Sequence, residues 1–190
     1  MPKNTKLTRA VWYFRLRELP SRKGVYDFVS ICLHLQDRRT IIDVLLNALS
    51  RLEYRGYDSA GLSVDGDREK EALLFKQVGK VNALRKHISE SSVDMDRTFV
   101  SHAGMAHTRW ATHGTPSPLN CHPHKSDPRG EFTVVHNGII TNYRELRLVL
   151  EKRGYKFETD TDTEAVAVLV KYFWDSYPEN RKPDFHIVVR

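Results

Sequence analysis

The sequence predicts a layered α/β domain built on antiparallel sheet. Two observations carry that expectation: helical stripes with a 3.6-residue period alternate with short strands of period two, and turn residues sit between them. Neither an internal repeat nor a low-complexity tract is present. At 190 residues the chain fits one ordinary domain, large enough to bury a core without disulfides.

The first helix is expected over "TIIDVLLNALSRL", residues 40–52, where Ile41, Val44, Leu45, Ala48, Leu49 and Leu52 recur along one face. Gly56 and Asp58-Ser59 then mark a turn, and "GLSVD" alternates as a short strand. Asp65-Gly66-Asp67 forms the loop before "ALLFKQVGKV" (72–81), a second strand, and Val81, Leu84 and Ile88 give a short helical stripe. "EFTVVHNGII" reads as a strand running into an Asn-Gly corner. Asn142 with Glu145 resembles a capping box ahead of Leu146, Val149 and Leu150, with Gly154 as the stop. Thr161 with Glu164 repeats the device ahead of "AVAVLVKYF", which is apolar almost all round and is expected to be buried. A fresh apolar segment, Phe185–Val189, begins just before the last residue, so the chain is expected to be truncated.

Charge and cysteine content exclude several classes. The net charge is +6, but residues 1–40 carry nine Lys/Arg against three Asp/Glu, which accounts for all of it. The remaining body is neutral, which argues against a nucleic-acid surface. The basic start reads either as a targeting presequence or as an extension outside the fold; Glu18, Asp27 and the scarcity of serine favour the second. Cys32 and Cys121 are the only cysteines, so no disulfide scaffold is expected and a reducing compartment fits. No stretch reaches the roughly 20 apolar residues of a membrane span, so no membrane partner is expected.

Chemistry concentrates in "AHTRWATHGTPSPLNCHPHKS", 106–126. His102, His107, His113, His122, His124 and His136, with Cys121, are numerous enough for zinc, but none shows a metal-site spacing, and ordinary hydrogen-bonded histidines are the expectation. Arg109 reads equally well as a bidentate carboxylate clamp or as a surface ion pair. Trp110 could cover a small ligand or fill core, while Thr112 and His113 offer short polar contacts. At "HNG" the Asn137 amide and the Gly138 N–H could form an oxyanion hole, although Asn-Gly is also the commonest hairpin turn. Asp160 and Asp162 precede a helix; either could accept a ligand ammonium, and acids there also suit the helix dipole. A carboxylate clamp, an ammonium acceptor and oxyanion donors are together what attack on an amino-acid amide requires.

Four segments carry a resemblance: "RLEYRGYDSAG" (51–61), "HTRWATHG" (107–114), "HNGIITNY" (136–143) and "TDTEAVAVLVKY" (161–172). They closely resemble the N-terminal class II glutamine amidotransferase (glutaminase) domain of the glutamine–fructose-6-phosphate aminotransferases. The resemblance spans about Arg38 to Tyr172, roughly seven-tenths of the chain. It implies an αββα sandwich of the N-terminal-nucleophile hydrolase type over residues 36–190, preceded by an atypical leader over 1–35. It further implies release of ammonia from glutamine for glucosamine-6-phosphate synthesis in hexosamine metabolism, with no cofactor. By matching motifs, Arg109 would hold the glutamine carboxylate and Asp162 its ammonium. Asn137 and Gly138 would form the oxyanion hole, Thr112 and His113 would shape the pocket, and Trp110 would lie in the loop closing over it. The partners implied are glutamine and a sugar-isomerase domain, for which this chain shows no segment.

The chain departs from that family at its start, where a mature N-terminal cysteine is the nucleophile and its own α-amine the proton shuttle. Here the sequence opens Met1-Pro2-Lys3, and no Cys-Gly pair occurs. Cys32, 20 residues before Leu52, is the one replacement to weigh, but Leu33 stands at the family's glycine position. Cys32 is therefore expected to be a small buried hydrophobe, Cys121 a bystander, and the chain inactive by itself. The alternative expectation is a non-catalytic glutamine-binding or interaction module. Asp160 also replaces the family's usual Glu.

Overall fold

The computed structural model describes residues 28–55, 58–68, 71–109 and 117–182. The expectations for the first 27 residues, Gly56, Trp110, Thr112, His113 and Phe185–Val189 lie outside them. Strands β1 (Phe28–Asp37), β2 (Ser59–Asp65), β3 (Ala72–Val78) and β4 (Thr98–Arg109) form an antiparallel sheet in the order β1-β4-β2-β3. A second ladder joins β5 (His124–Lys125) to β6 (Thr133–Val134). Helices α1 (Arg38–Leu52) and α2 (Val81–Ser89) pack on one face of the large sheet. On the far side α4 (Asp162–Asp175) packs on β5 and β6, with α3 (Tyr143–Lys152) beside it. The layers therefore run helix, sheet, sheet, helix, as the resemblance implies. β1 begins at Phe28, so the last part of the expected leader is a strand of the main sheet.

Helix α1 starts two residues before the expected Thr40 because Asp37 caps it, accepting the Thr40 N–H at 2.7 Å. Its buried arc is Ile41, Ile42, Leu45, Leu46 and Leu49, whereas Val44 is 42% exposed. The period is as read, but the ridge that joins 41/45/49 is 42/46 rather than 44/48. A stripe alone leaves open which flanking ridge meets the sheet; the docking of α1 across β1 and β4 decides it. These side chains join Ala60, Leu62, Val64, Phe75 and Leu84 in one apolar core, each aliphatic worth roughly 2 kcal/mol against exposure. Arg38 is wholly buried at the edge of this core and donates to the Asp94 carbonyl at 2.6 Å and the Asp67 carboxylate at 2.7 Å.

Neither expected capping box forms. Asn142 and Thr161 occupy the N-cap positions of α3 and α4 without a side-chain cap bond. Glu164 instead accepts from the backbone N–H groups of Glu158 and Thr159, at 2.7 and 2.8 Å, because the incoming chain doubles back over the helix start. In α3 only Leu150 is buried, and Val149 is 46% exposed. α4 meets expectation, with Ala165, Ala167, Val168 and Val170 buried.

Gly154 ends α3 as read. Its φ is +90°, its N–H donates to the Glu151 carbonyl at 2.9 Å, and nothing lies near a Cβ built there. Gly154→Ala should therefore cost about 1 kcal/mol through backbone strain alone, read as a lower urea midpoint at unchanged slope.

Candidate functional site

The two faces of the main sheet differ in chemistry. The helix side is apolar apart from Arg38 and His102, whereas the space between the sheets holds buried His107, Arg109, Asn120, His122 and His124. Strand alternation creates this split. Ala106 packs into the helix-side core, so His107 and Arg109 on β4 turn to the opposite face. His102, on the same strand face as Ala106, pairs with the helix-side Leu33, and its ring centroid lies 4.1 Å from that of Phe99.

Contact between the layers depends on Gly61. A Cβ there would lie 2.1 Å from the His122 carbonyl oxygen, so the 120–124 segment rests directly on β2. The His122 ring stacks on His107 with centroids 4.4 Å apart, and His124 meets His122 edge-on at 4.6 Å. His107 Nε2 lies 2.7 Å from Asn137 Oδ1. His124 continues through the Thr161 hydroxyl at 3.1 Å and the Thr159 hydroxyl at 2.9 Å to Glu164, whose carboxylate accepts from Thr159 Oγ1 at 2.7 Å.

This interior keeps its histidines neutral. Burial pushes His107 down to about 4, with the nearby Arg109 charge adding to the effect. His122 and His124 are held well below their ordinary value, first by burial and then by neighbouring cations and rings. Lys76, on the same face of β3, is lowered to about 8 by burial, and its ammonium donates to the Leu119 carbonyl at 3.3 Å. Although three imidazoles converge, no group of three or more His, Cys, Asp or Glu among the described residues could hold a metal ion.

The Asn137-Gly138 corner is not a hairpin turn. β6 ends at Val134 and pairs only with the preceding β5; the chain then passes through the corner towards α3. Asn137 and Gly138 are exposed at the margin of the polar interior, and the His136 ring lies over Gly138. The corner is tied to α4 because the Ile140 N–H donates to Asp162 Oδ2 at 2.7 Å. Asp162 opens α4 and is buried, and the backbone N–H of the adjacent Asp160 donates to Asn120 Oδ1 at 3.1 Å. Arg109, Asn137, Gly138 and Asp162 thus belong to one connected region, although they come from a strand end, a loop and a helix start.

The cysteines behave differently. Cys121 is fully buried and donates to the Ser117 carbonyl at 3.1 Å, and burial pushes its thiol up. Cys32, expected to be buried, is exposed, with Sγ 3.6 Å from the Ser101 hydroxyl. The reason is its strand face. Val29, Ile31 and Leu33 pack towards α1, so Cys32 points to the inner face, where the short second ladder lies over β2 and β3. It pairs with Ala103, four residues along β4 from His107, or roughly 13 Å.

The family model for a glutamine amidotransferase domain matches residues 107–185. The glutamine–fructose-6-phosphate aminotransferase of Saccharomyces cerevisiae is 50% identical over 164 residues, 86% of this chain and 23% of that protein. A probable glutamine–fructose-6-phosphate aminotransferase of Schizosaccharomyces pombe is 52% identical over 155 residues, 82% of this chain and 22% of that protein. The chain carries a glutamine amidotransferase domain. It spans less than a quarter of the length of these curated relatives.

The fold of the amidotransferase domain agrees. Glutamine phosphoribosylpyrophosphate amidotransferase from B. subtilis superposes with a TM-score of 0.57 at 22% identity, over 85% of this chain and 31% of that one. The domain is thus an antiparallel α/β sandwich of the N-terminal-nucleophile type. No described helix is long and apolar enough to cross a membrane. The sequence reading offers His107 only as a metal ligand and does not single out Lys76. The signal for His107 was its i, i+2 relation to Arg109, which puts both on one strand face.

Proposed function

We propose that this domain binds L-glutamine and prepares its side-chain amide for attack, as the ammonia-releasing part of a glutamine–fructose-6-phosphate aminotransferase in the cytosol. Arg109 takes the α-carboxylate, where a planar guanidinium gives two parallel charge-assisted bonds. Asp162 takes the α-ammonium with the carboxylate capacity that the Ile140 N–H leaves over. The Asn137 amide and the Gly138 N–H point at the carbonyl oxygen and stabilise the charge that grows there during attack. Trp110, Thr112 and His113 complete the pocket in this reading. In the longer protein the released ammonia goes to a sugar-isomerase domain for glucosamine-6-phosphate synthesis.

One observation carries the reading: two 2.7 Å bonds, His107 to Asn137 and Ile140 to Asp162, join the oxyanion corner to the Arg109 strand on one side and the Asp162 helix on the other. We assign no nucleophile to the described residues. The strand register supports leaving Cys32 out, so Cys32→Ala should leave glutamine affinity unchanged.

The test is a glutamine titration followed by thermal denaturation. At a hundredfold excess over Kd, bound glutamine should add about 2.7 kcal/mol, and Arg109→Ala should remove that gain. A folded domain whose midpoint does not move with glutamine would refute the reading.

A further inference from the structure

We propose that His107 is a positioning residue that fixes which way round the Asn137 amide stands, by donating its Nε2 proton to Asn137 Oδ1 and so leaving the Nδ2 donors for the oxyanion. The inference rests on the glutamine reading above and deepens it.

An Asn side chain at the rim of a site can present either its oxygen or its NH2 group outward, and only the second stabilises an oxyanion. Asn137 is exposed, so its surroundings do not impose one orientation by packing. Its one described side-chain partner is His107 Nε2, at 2.7 Å from Oδ1. With an N–H at Nε2, Oδ1 must face the ring and the NH2 must face the site. With the proton on Nδ1 instead, the amide would turn over, and its oxygen would confront the developing charge.

The surroundings select the Nε2 proton. His107 is 3% exposed, and its Nδ1 has no hydrogen-bond partner among the described residues. An orphaned acceptor in the interior costs less than an orphaned N–H, so the proton belongs at Nε2. The stacked His122 ring fixes the imidazole plane, and the His122 backbone is itself seated on Gly61. Burial keeps the imidazole neutral through the physiological range, so a single tautomer holds there. The order of support is Gly61, His122, His107, Asn137.

The experiment uses the full chain with two ligands, L-glutamine and L-2-amino-4-phosphonobutyrate, whose anionic tetrahedral phosphonate stands in for the oxyanion. His107→Phe should weaken phosphonate binding by about tenfold or more while glutamine changes less than about threefold. His107→Gln places an amide N–H near the position of Nε2 and should restore phosphonate binding to within about threefold. In the same samples, long-range 1H–15N correlation of the wild-type ring should show the proton on Nε2. Equal weakening of both ligands, no weakening of either, or a proton on Nδ1 overturns the proposal. Should His107→Phe fail to fold, His107→Gln and the ring tautomer decide it. If the wild type binds neither ligand, the glutamine reading itself falls, an outcome distinct from binding without discrimination.

Discussion

Acidification from pH 7 to 5 should destabilise this domain by several kcal/mol, well before its carboxylates protonate. Four buried imidazoles, His102, His107, His122 and His124, are held below their ordinary pKa of 6.5, His102 and His107 at about 4. The unfolded chain therefore takes up protons as pH drops through 6.5, whereas the folded one does not. Stability is full above pH 6.5 and declines steadily down to the folded pKa values. For His107 alone the loss at pH 5 is on the order of 2 kcal/mol, and the other three act in the same direction. Total stability for such domains is about 5–15 kcal/mol, so denaturant midpoints should collapse between pH 6.5 and 5. A flat pH profile over that window would show that the imidazoles are hydrated or already charged.

His102 makes the effect separable from the site. Both of its ring nitrogens are buried without a partner among the described residues, and it lies on the helix side, away from Asn137. His102→Leu removes two unsatisfied polar atoms and one titration. It should raise stability, with a larger gain at pH 5 than at pH 7.

The second large effect is expected at Gly61. With the His122 carbonyl oxygen 2.1 Å from where a Cβ would stand, and the Phe75 carbonyl oxygen at 3.0 Å, Gly61→Ala must push the second layer away from β2. Both obstacles are backbone atoms, so no rotamer relieves the clash. The cost should be about 3 kcal/mol. Because His122 stacks on His107, phosphonate binding should weaken along with the melting temperature. A variant with wild-type stability would mean that the layers are not seated as described. Gly104 offers a contrast: its first obstacle is the Leu45 side chain at 2.8 Å, which has some freedom to move.

Much of this protein was legible in the order of its residues. The period of "TIIDVLLNALSRL", the stripe Val81/Leu84/Ile88 and the stop at Gly154 are local properties, governed by chain geometry over one or two turns, and each forms where it is read. The candidate site residues were proposed from four short segments that resemble one family. Taken singly, Arg109 read equally well as a surface ion pair, and for Asn137 and Asp162 the ordinary reading was the stronger one.

Tertiary structure decided what depends on partners distant in sequence. β4 lacks alternation over its second half because it is buried on both faces, a consequence of the second layer that no local period encodes. The capping box at Thr161 fails because Glu164 finds better donors in the returning chain. Cys32 is exposed because of where the second ladder stops, and His107 gains a role because Asn137, thirty residues on, arrives at its Nε2. The sequence by itself determined the helices, strands β2 and β3 and the family, since these follow from short-range geometry and residue chemistry. Which groups face one another, and hence which proton holds which amide, follows only from packing the layers together.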